Sequence, residues 1–162
     1  MFDVKYPEPV SGVKLENTLV FDVKKAGNDI LISGDNTIAE MSDYSEINYD
    51  IRFDQVLLSH SSQDVYRNRA VSFTADNEPV ISVYNKHGEA QYEAVTDIVA
   101  DNIDIYKDTV VYSSGRAVFC ERCDDGERIS YTATTEVKKL ILMYEKTCLF
   151  VYEDNLEIIK WY

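Results

Sequence analysis

Cysteine, histidine and proline are all scarce in this sequence, with three, two and three residues respectively among 162. Three cysteines cannot all pair within one chain, and no Asn-x-Ser/Thr glycosylation site is present. Small secreted domains usually carry an even set of disulfide-bonded cysteines. The cysteine count therefore favours a reducing compartment, and we expect a cytoplasmic protein.

Long apolar stretches are also missing. The N-terminal segment 1–6 has an acid at its third position and lacks the apolar core of a signal peptide. No run elsewhere approaches the roughly 20 apolar residues that a membrane-spanning helix needs. The sequence therefore predicts neither a signal peptide nor a membrane span.

Basic residues are outnumbered, with 16 Lys and Arg against 29 Asp and Glu, a net charge of −13. This balance opposes binding to the phosphates of nucleic acids and to anionic lipid surfaces. An acidic surface can instead attract a basic protein and speed the encounter. We expect a basic protein as partner, with no nucleic acid and no membrane. The alternative is that the charge only maintains solubility.

The sequence is rich in residues that favour β-strands: 45% of it is hydrophobic and 12% aromatic, with twelve tyrosines. Polar pairs interrupt the β-type runs at intervals of about 40 residues, which indicates an internal repeat. The four pairs are Asp35-Asn36, Asp76-Asn77, Ser114-Gly115 and Asp154-Asn155. Because Asp, Asn and Gly suit tight turns, each pair predicts a β-hairpin.

Each hairpin provides strands B and C of one repeat. Strand B is expected at 30–33, 70–73, 109–112 and 148–152, and strand C at 37–41, 80–84, 117–120 and 156–161. A preceding apolar run suggests an inner strand A at 19–23, 55–58, 96–99 and 140–143. Three repeats add a more polar strand D at 47–51, 90–93 and 129–132.

The fourth repeat ends without a strand D, and the alternating segment 2–6, set apart by Pro7 and Pro9, is suited to complete it. A strand contributed from the other chain end closes a ring and covers an exposed edge. The predicted fold is therefore all-β, a single-domain four-repeat β-propeller. Its blades are expected at about 15–51, 54–93, 95–133 and 137–162 plus strand 2–6. A β-sandwich or barrel is the alternative.

Two hairpin segments, ISGDNTI at 32–38 and DNLEIIKW at 154–161, resemble those of WD-repeat propellers. The repeat length agrees as well. The sequence departs from the family pattern because Trp161 is followed by Tyr162 rather than Asp, and no Gly-His pair begins a repeat. The resemblance thus concerns the shape of the blade, and it implies a platform that binds partners on one end face.

No motif predicts a catalytic, cofactor-binding or metal-ligating residue. Cys120 and Cys123 have the spacing of half a zinc or redox site, but a second close ligand pair is absent, and their role is left open. The segment 59–64 combines serines, His60 and an acid, yet its composition favours a loop. The segments 85–89, with His87, and 124–127 are expected to be hairpin turns rather than ligand sites.

The acids cluster by position. In a propeller, the B–C turns and the D-to-A crossings share one end face, and on the assignment above only Arg52 and Arg116 oppose the acids there. These acids are Glu8, Asp35, Asp50, Asp54, Asp76, Glu78, Glu93, Glu136, Glu153 and Asp154. We interpret the face as a docking surface for a basic protein, or alternatively as a solvated rim.

Three functions fit these features. The leading hypothesis is a non-catalytic acidic inhibitor that occludes the active site of a basic, nuclease-like toxin. In its size, acidity and lack of catalytic residues the chain resembles bacterial immunity proteins. An adaptor propeller that scaffolds an assembly is the second, and an enzyme of unknown type is the third.

Overall fold

The computed structural model describes residues 12–42, 46–63 and 65–161. Within these ranges the chain forms strands, turns and connections without a helix, so it offers no helical span for a membrane. Fifteen strands there pair in four antiparallel sheets, in which each strand lies beside the next one along the chain. The predicted all-β fold of four repeats is confirmed, and each sheet is called a blade below.

The strands follow one another in chain order through the four blades. Blade 1 contains β1 (Val20–Ala26), β2 (Asp29–Gly34), β3 (Thr37–Ser42) and β4 (Glu46–Arg52). Blade 2 contains β5 (Ser59–Ser62), β6 (Arg69–Ala75), β7 (Glu78–Tyr84) and β8 (Ala90–Val95). Blade 3 contains β9 (Asn102–Tyr106), β10 (Thr109–Ser114), β11 (Ala117–Arg122) and β12 (Arg128–Thr132). Blade 4 contains β13 (Lys139–Tyr144), β14 (Thr147–Val151) and β15 (Leu156–Lys160).

The hairpin turns between the second and third strands lie where the polar pairs predicted them. In blade 2, Asp76 and Asn77 have φ values of 52° and 67°. Two consecutive positive φ angles are what a two-residue type I′ hairpin requires, and Asp and Asn reach them more easily than most residues. The residues that mark the repeat in the sequence are therefore those that the turn backbone needs.

The apolar core is divided among the interfaces between neighbouring blades. Ile38 packs with Val71 and Phe73 between blades 1 and 2. The next two cores join Ile81, Val83, Ile105 and Val110 between blades 2 and 3, and Val111, Val118, Leu140 and Phe150 between blades 3 and 4. The inner strands β5, β9 and β13 contact one another in turn. Sheets packed face to face around an axis in this way are propeller blades.

Two inner strands lie elsewhere than predicted. The segment 55–58 belongs to the crossing from β4 to β5, and Leu57 is buried in the core between blades 1 and 2. The segment 96–99 is likewise a crossing, in which Ile98 packs against the next core. The apolar residues of these crossings fill space between blades, whereas the true inner strands β5 and β9 carry the polar side chains that line the axis.

The predicted closing strand at 2–6 lies outside the described residues. Within the described ranges, blade 4 has three strands, with β15 at its outer edge. Closure of the ring by the segment 2–6 therefore stays a prediction.

Candidate functional site

A cavity of about 410 Å³ lies where the inner strands of the four blades converge. Its walls come from β1, β5, β9 and β13, so each blade contributes. The polar side chains that line it are Asp22, Lys24, His60, Ser61, Ser62, Asp104 and Lys139. Whether these groups form a reactive site depends on what each of them contacts.

His60 and Ser61 are consecutive residues of β5, so their side chains point to opposite faces of blade 2. His60 faces blade 1, with its Nε2 3.6 Å from Asp22 Oδ2. Ser61 faces blade 3 and donates a hydrogen bond from Oγ to Asp104 Oδ1 at 2.5 Å. Asp104 also accepts a hydrogen bond from the backbone N of Leu142 at 2.6 Å. The segment 59–62 is thus an inner strand and not the predicted loop, and its serine and histidine serve different blade contacts.

Burial lowers the pKa of His60 below its usual value, Arg69 lowers it further, and Asp22 acts in the opposite direction. The ring also meets Phe21 edge-on, with ring centroids 4.7 Å apart. A lowered pKa keeps the imidazole neutral near pH 7. His60 therefore packs between blades 1 and 2 as a neutral side chain.

Arg69 is the largest polar side chain at the junction between blades 1 and 2, and it is only 1% exposed. Its guanidinium donates hydrogen bonds to the backbone oxygens of Ala39 at 3.1 Å and Ile32 at 2.9 Å, and to Ser33 Oγ at 2.6 Å. Since a buried cation is stable only when its donors are satisfied, these three acceptors explain how it is tolerated there. Arg69 fixes blade 2 to blade 1.

Glu121 plays the corresponding part between blades 2 and 3. Its carboxylate accepts hydrogen bonds from Tyr112 Oη at 2.6 Å and Tyr92 Oη at 2.9 Å, and it pairs with Arg128. Burial and the bond to Glu121 raise the pKa of Tyr92 to about 12, so that phenol stays protonated and donates. These buried polar residues were not predicted from the sequence. A charged residue within an otherwise apolar strand, as at Arg69 and Glu121, could have indicated them.

The cysteines lie in surroundings that oppose reactivity. Burial is the main cause that raises the pKa of each thiol, Cys120, Cys123 and Cys148, to about 12. The thiolate is the form that binds metals and reacts, and a raised pKa disfavours it. Among the described residues, no group of three or more His, Cys, Asp or Glu side chains is placed to hold a metal ion.

The other two segments form hairpin loops, as predicted. Asn85 Oδ1 accepts a hydrogen bond from the backbone N of His87 at 2.8 Å, in the loop between β7 and β8. In the loop between β11 and β12, Asp125 Oδ1 accepts one from the backbone N of Glu127 at 3.0 Å and also pairs with Arg122. These side chains stabilise turns.

The acidic face, defined as the predicted acids other than Glu8, which lies outside the described residues, occupies one end of the blades. Its members stand in the turns between second and third strands, in the crossings between blades, or in strand positions near that end. They are Asp35, Asp50, Asp54, Asp76, Glu78, Glu93, Glu136, Glu153 and Asp154. All are exposed except Asp35, which is half-buried and accepts a hydrogen bond from the backbone N of Leu19 at 3.0 Å.

Three acids of this face lie around one groove. Glu136, Glu153 and Asp154, together with Thr135 and Lys138, line a space of about 380 Å³. Lys138 pairs with Glu136 at 2.8 Å, so the prediction that only Arg52 and Arg116 oppose the acids was wrong. Lys138 is the last residue of the crossing from β12 to β13, and the predicted strands at 129–132 and 140–143 already placed it in that crossing. The groove is acidic, with one cation at its margin.

Solved structures with similar folds are β-propeller proteins. They include BamB from Moraxella catarrhalis, with a TM-score of 0.68 and 11% identity over 89% of this chain and 47% of that one. The Pan2 WD40 domain of Neurospora crassa gives a TM-score of 0.59 and 10% identity over 86% and 46%. BBS1N in complex with ARL6DN gives 0.62 and 11% over 98% and 56%.

These likenesses confirm the propeller fold and the WD-repeat resemblance at the level of the blade. This chain spans about half the length of the solved structures that it matches. At such low identities the likeness concerns the fold alone. No curated protein matches the sequence. The model of one protein family matches residues 6–161, and the chain therefore belongs to the Family of unknown function (DUF5711).

Proposed function

We propose that this chain is a protein-binding module that docks a basic partner on its acidic face. The observation that carries the proposal is the groove around Glu136, Glu153 and Asp154, whose carboxylates are all exposed at one end of the blades. Exposed like charges gathered at one end create a field that steers an oppositely charged protein. The propeller fold supports it as well, since BBS1N was solved in complex with a protein, ARL6DN.

The contacts in the axial cavity favour binding over catalysis. A serine nucleophile of the triad type needs a histidine base within hydrogen-bond reach, whereas Ser61 donates to Asp104 and the neighbouring His60 faces Asp22 on the other side of blade 2. The polar groups there join neighbouring blades. We therefore propose a non-catalytic role, with the end face as the working surface.

A finer proposal is that the partner is a toxin with a basic, nuclease-like active site, which this chain would occlude in the cytoplasm. The support is the chain's small size and its net charge of −13, which complement a cleft built to attract nucleic acid. A scaffold role is the alternative, and it predicts neutral partners. A basic partner whose catalytic activity falls to zero at one equivalent of this chain would distinguish inhibition from scaffolding.

The experiment compares three baits in a lysate of the source cells: the native chain, a groove variant and a control variant. The groove variant carries Glu136→Gln, Glu153→Gln and Asp154→Asn. The control carries Glu46→Gln, Glu89→Gln and Glu127→Gln, which remove the same charge from exposed acids at the opposite end of the blades. Proteins are eluted with increasing salt and identified by mass spectrometry.

The proposal predicts a basic protein that the native and control baits retain at low salt, that the groove variant loses, and that elutes as salt rises. Retention by all three baits, or partners of neutral charge held at high salt, would reject the acidic face as the docking surface. The matched charge change separates the effect of this face from that of net charge.

A further inference from the structure

The end of the blades that carries the acids also exposes aliphatic side chains. They stand at the start of β1 or in the crossings that lead into β5 and β9. Each of them is between 42% and 70% exposed. Together they are called the apolar strip, which consists of Leu19, Val20, Val56, Leu58 and Val99.

Hydrogen bonds around one turn residue place the first part of the strip. The backbone N of Asp35 donates to Leu19 O at 3.0 Å, and the backbone O of Asp35 accepts from Leu57 N at 2.7 Å. Leu57 is buried, and its two neighbours along the chain are Val56 and Leu58. The start of β1 therefore lies beside the crossing into blade 2.

A hydrogen bond between blades 2 and 3 extends the strip. Ser59 Oγ donates to the backbone O of Ala100 at 2.9 Å. Leu58 directly precedes Ser59, and Val99 directly precedes Ala100, so these two exposed side chains stand next to bonded residues. The apolar strip thus runs from blade 1 to the crossing into blade 3.

The crossings into blades 2 and 4 have the same backbone hydrogen bonds. Leu57 N and Val137 N each donate to an oxygen in the hairpin turn of the preceding blade, at 2.7 and 2.8 Å. The next residues, Leu58 and Lys138, each donate from N to an oxygen in the second strand of their own blade, both at 2.8 Å. These two pairs of residues are therefore structurally equivalent.

The equivalent positions carry different chemistry. Val56 and Leu58 occupy in the crossing into blade 2 the places that Glu136 and Lys138 hold in the crossing into blade 4. Glu136 and Lys138 line the acidic groove. One end face thus has an apolar part over blades 1 and 2 and a charged part over blades 3 and 4.

This division selects the chemistry of a partner. Protein interfaces commonly join an apolar centre to a polar rim, and complementary charges set which partner is accepted. The groove presents three exposed carboxylates, so it favours cationic side chains. The strip offers aliphatic surface, which is best covered by apolar side chains.

We propose that the segment docked on this end combines apolar side chains, seated on the apolar strip, with basic side chains that reach the acidic groove. The inference rests on the proposed function, to which it adds the apolar half of the recognised segment. Aliphatic burial supplies affinity that salt does not screen, while the carboxylates supply attraction that salt weakens.

The test uses two labelled synthetic peptides and measures their binding by fluorescence anisotropy. One contains leucines flanked by lysines, and in the other serines replace the leucines. The native chain should bind the leucine peptide at least about 10-fold more tightly. Both affinities should fall as salt rises, with their ratio maintained. A native chain that binds the leucine peptide no better than the serine peptide would overturn the inference.

A strip variant and a matched control locate the preference. The strip variant carries Val56→Ser and Leu58→Ser, and it should bind the two peptides equally. The control carries Val23→Ser and Ile158→Ser, which alter exposed aliphatic residues within strands, outside the strip, and it should keep the preference. Circular dichroism verifies that both variants fold. A strip variant that still prefers the leucine peptide would show that the strip is not the contact.

The groove variant separates this inference from the proposed function. It should weaken the binding of both peptides by a similar factor and leave the preference for leucine unchanged. If it binds both peptides as the native chain does, the groove is not a docking site, and the proposed function fails together with this inference. If it weakens both while the native chain shows no preference, only the apolar strip is rejected.

Discussion

Blades 3 and 4 share a pattern of strand pairing but differ in what covers them. Val118 in blade 3 and Leu156 in blade 4 hold the same register position, yet one is 1% exposed and the other 64%. The local sequence of both blades satisfies the same sheet geometry. The difference in exposure therefore arises from the neighbouring blade. An apolar strand residue is buried where a further blade covers it and exposed where none does.

The junctions between blades also differ in chemistry. Apolar side chains dominate between blades 3 and 4, whereas a buried cation, Arg69, joins blades 1 and 2. Apolar packing is non-directional, while hydrogen bonds to backbone oxygens fix one orientation. We infer that the polar junctions specify how the blades are placed and that the apolar ones supply most of the burial.

The largest expected effect comes from placing the same charge at the two equivalent positions. Val118→Lys puts an unpaired cation in the core, so we expect the free energy of unfolding to fall by about 4 kcal/mol or more. Leu156→Lys should change it by less than about 0.5 kcal/mol in the monomer. Urea denaturation of both variants at low concentration measures the difference, and equal losses would refute the assignment of exposed and covered faces.

The second prediction concerns the polar junction. Arg69→Met leaves the oxygens of Ile32 and Ala39 without their donors, so we expect a loss of roughly 3 kcal/mol in the free energy of unfolding. Arg52→Met is the control, because Arg52 is exposed, where it pairs with nearby Asp50 in β4 and donates a hydrogen bond to the backbone oxygen of exposed Glu16 at 3.2 Å; it should cost under about 0.5 kcal/mol. A similar cost for both substitutions would show that Arg69 does not stabilise the junction.

A smaller effect is expected on the pH dependence of stability. Because the pKa of His60 is lowered in the folded chain, the unfolded chain binds the proton more readily. The stability that neutral His60 contributes is therefore fully present above the usual histidine pKa of about 6.5 and decreases as the pH falls below that value. His60→Gln should flatten this decrease, and the same substitution at the exposed loop histidine, His87→Gln, is the matched control. Thermal unfolding from pH 7.5 to 5 gives the comparison, and unchanged slopes for both variants would contradict it.

The smallest effect on stability is expected at the acidic groove. Its three carboxylates are exposed, so replacing them as in the groove variant should shift the free energy of unfolding by less than about 0.5 kcal/mol. Denaturation curves that overlay those of the native chain would confirm that any loss of partner binding is a surface effect. A large loss would instead indicate a structural role for this cluster.

The sequence predicted the hairpins well and the inner strands less well. The hairpins were predictable because Asp76 and Asn77 occupy the positive φ angles that their turn requires. The inner strand β5 was missed because its residues, Ser59–Ser62, are polar, and strand prediction from one sequence relies on apolar runs. The apolar run just before it instead belongs to a crossing, where Leu57 fills the space between blades.

The candidate site was only partly predictable. Exposed turn acids such as Asp76 and Asp154 could be placed on one end from chain order, since turns alternate between the two ends of a sheet. The buried contacts of Arg69 and Glu121 join residues far apart in sequence, and no local pattern names their partners. Lys107-Asp108 forms the short turn between β9 and β10. Recognising this turn in the sequence would have located β9 correctly.

The most direct test of the account is carbene footprinting of the native chain at increasing concentration, which reads the solvent exposure of individual side chains. We expect Leu156 and Ile158 to be labelled strongly at the lowest concentration, and Val118 and Cys120 to be protected at every concentration. Protection of all four residues at the lowest concentration would show that blade 4 is covered within one chain. That result would contradict the difference in exposure between the outward faces of blades 3 and 4.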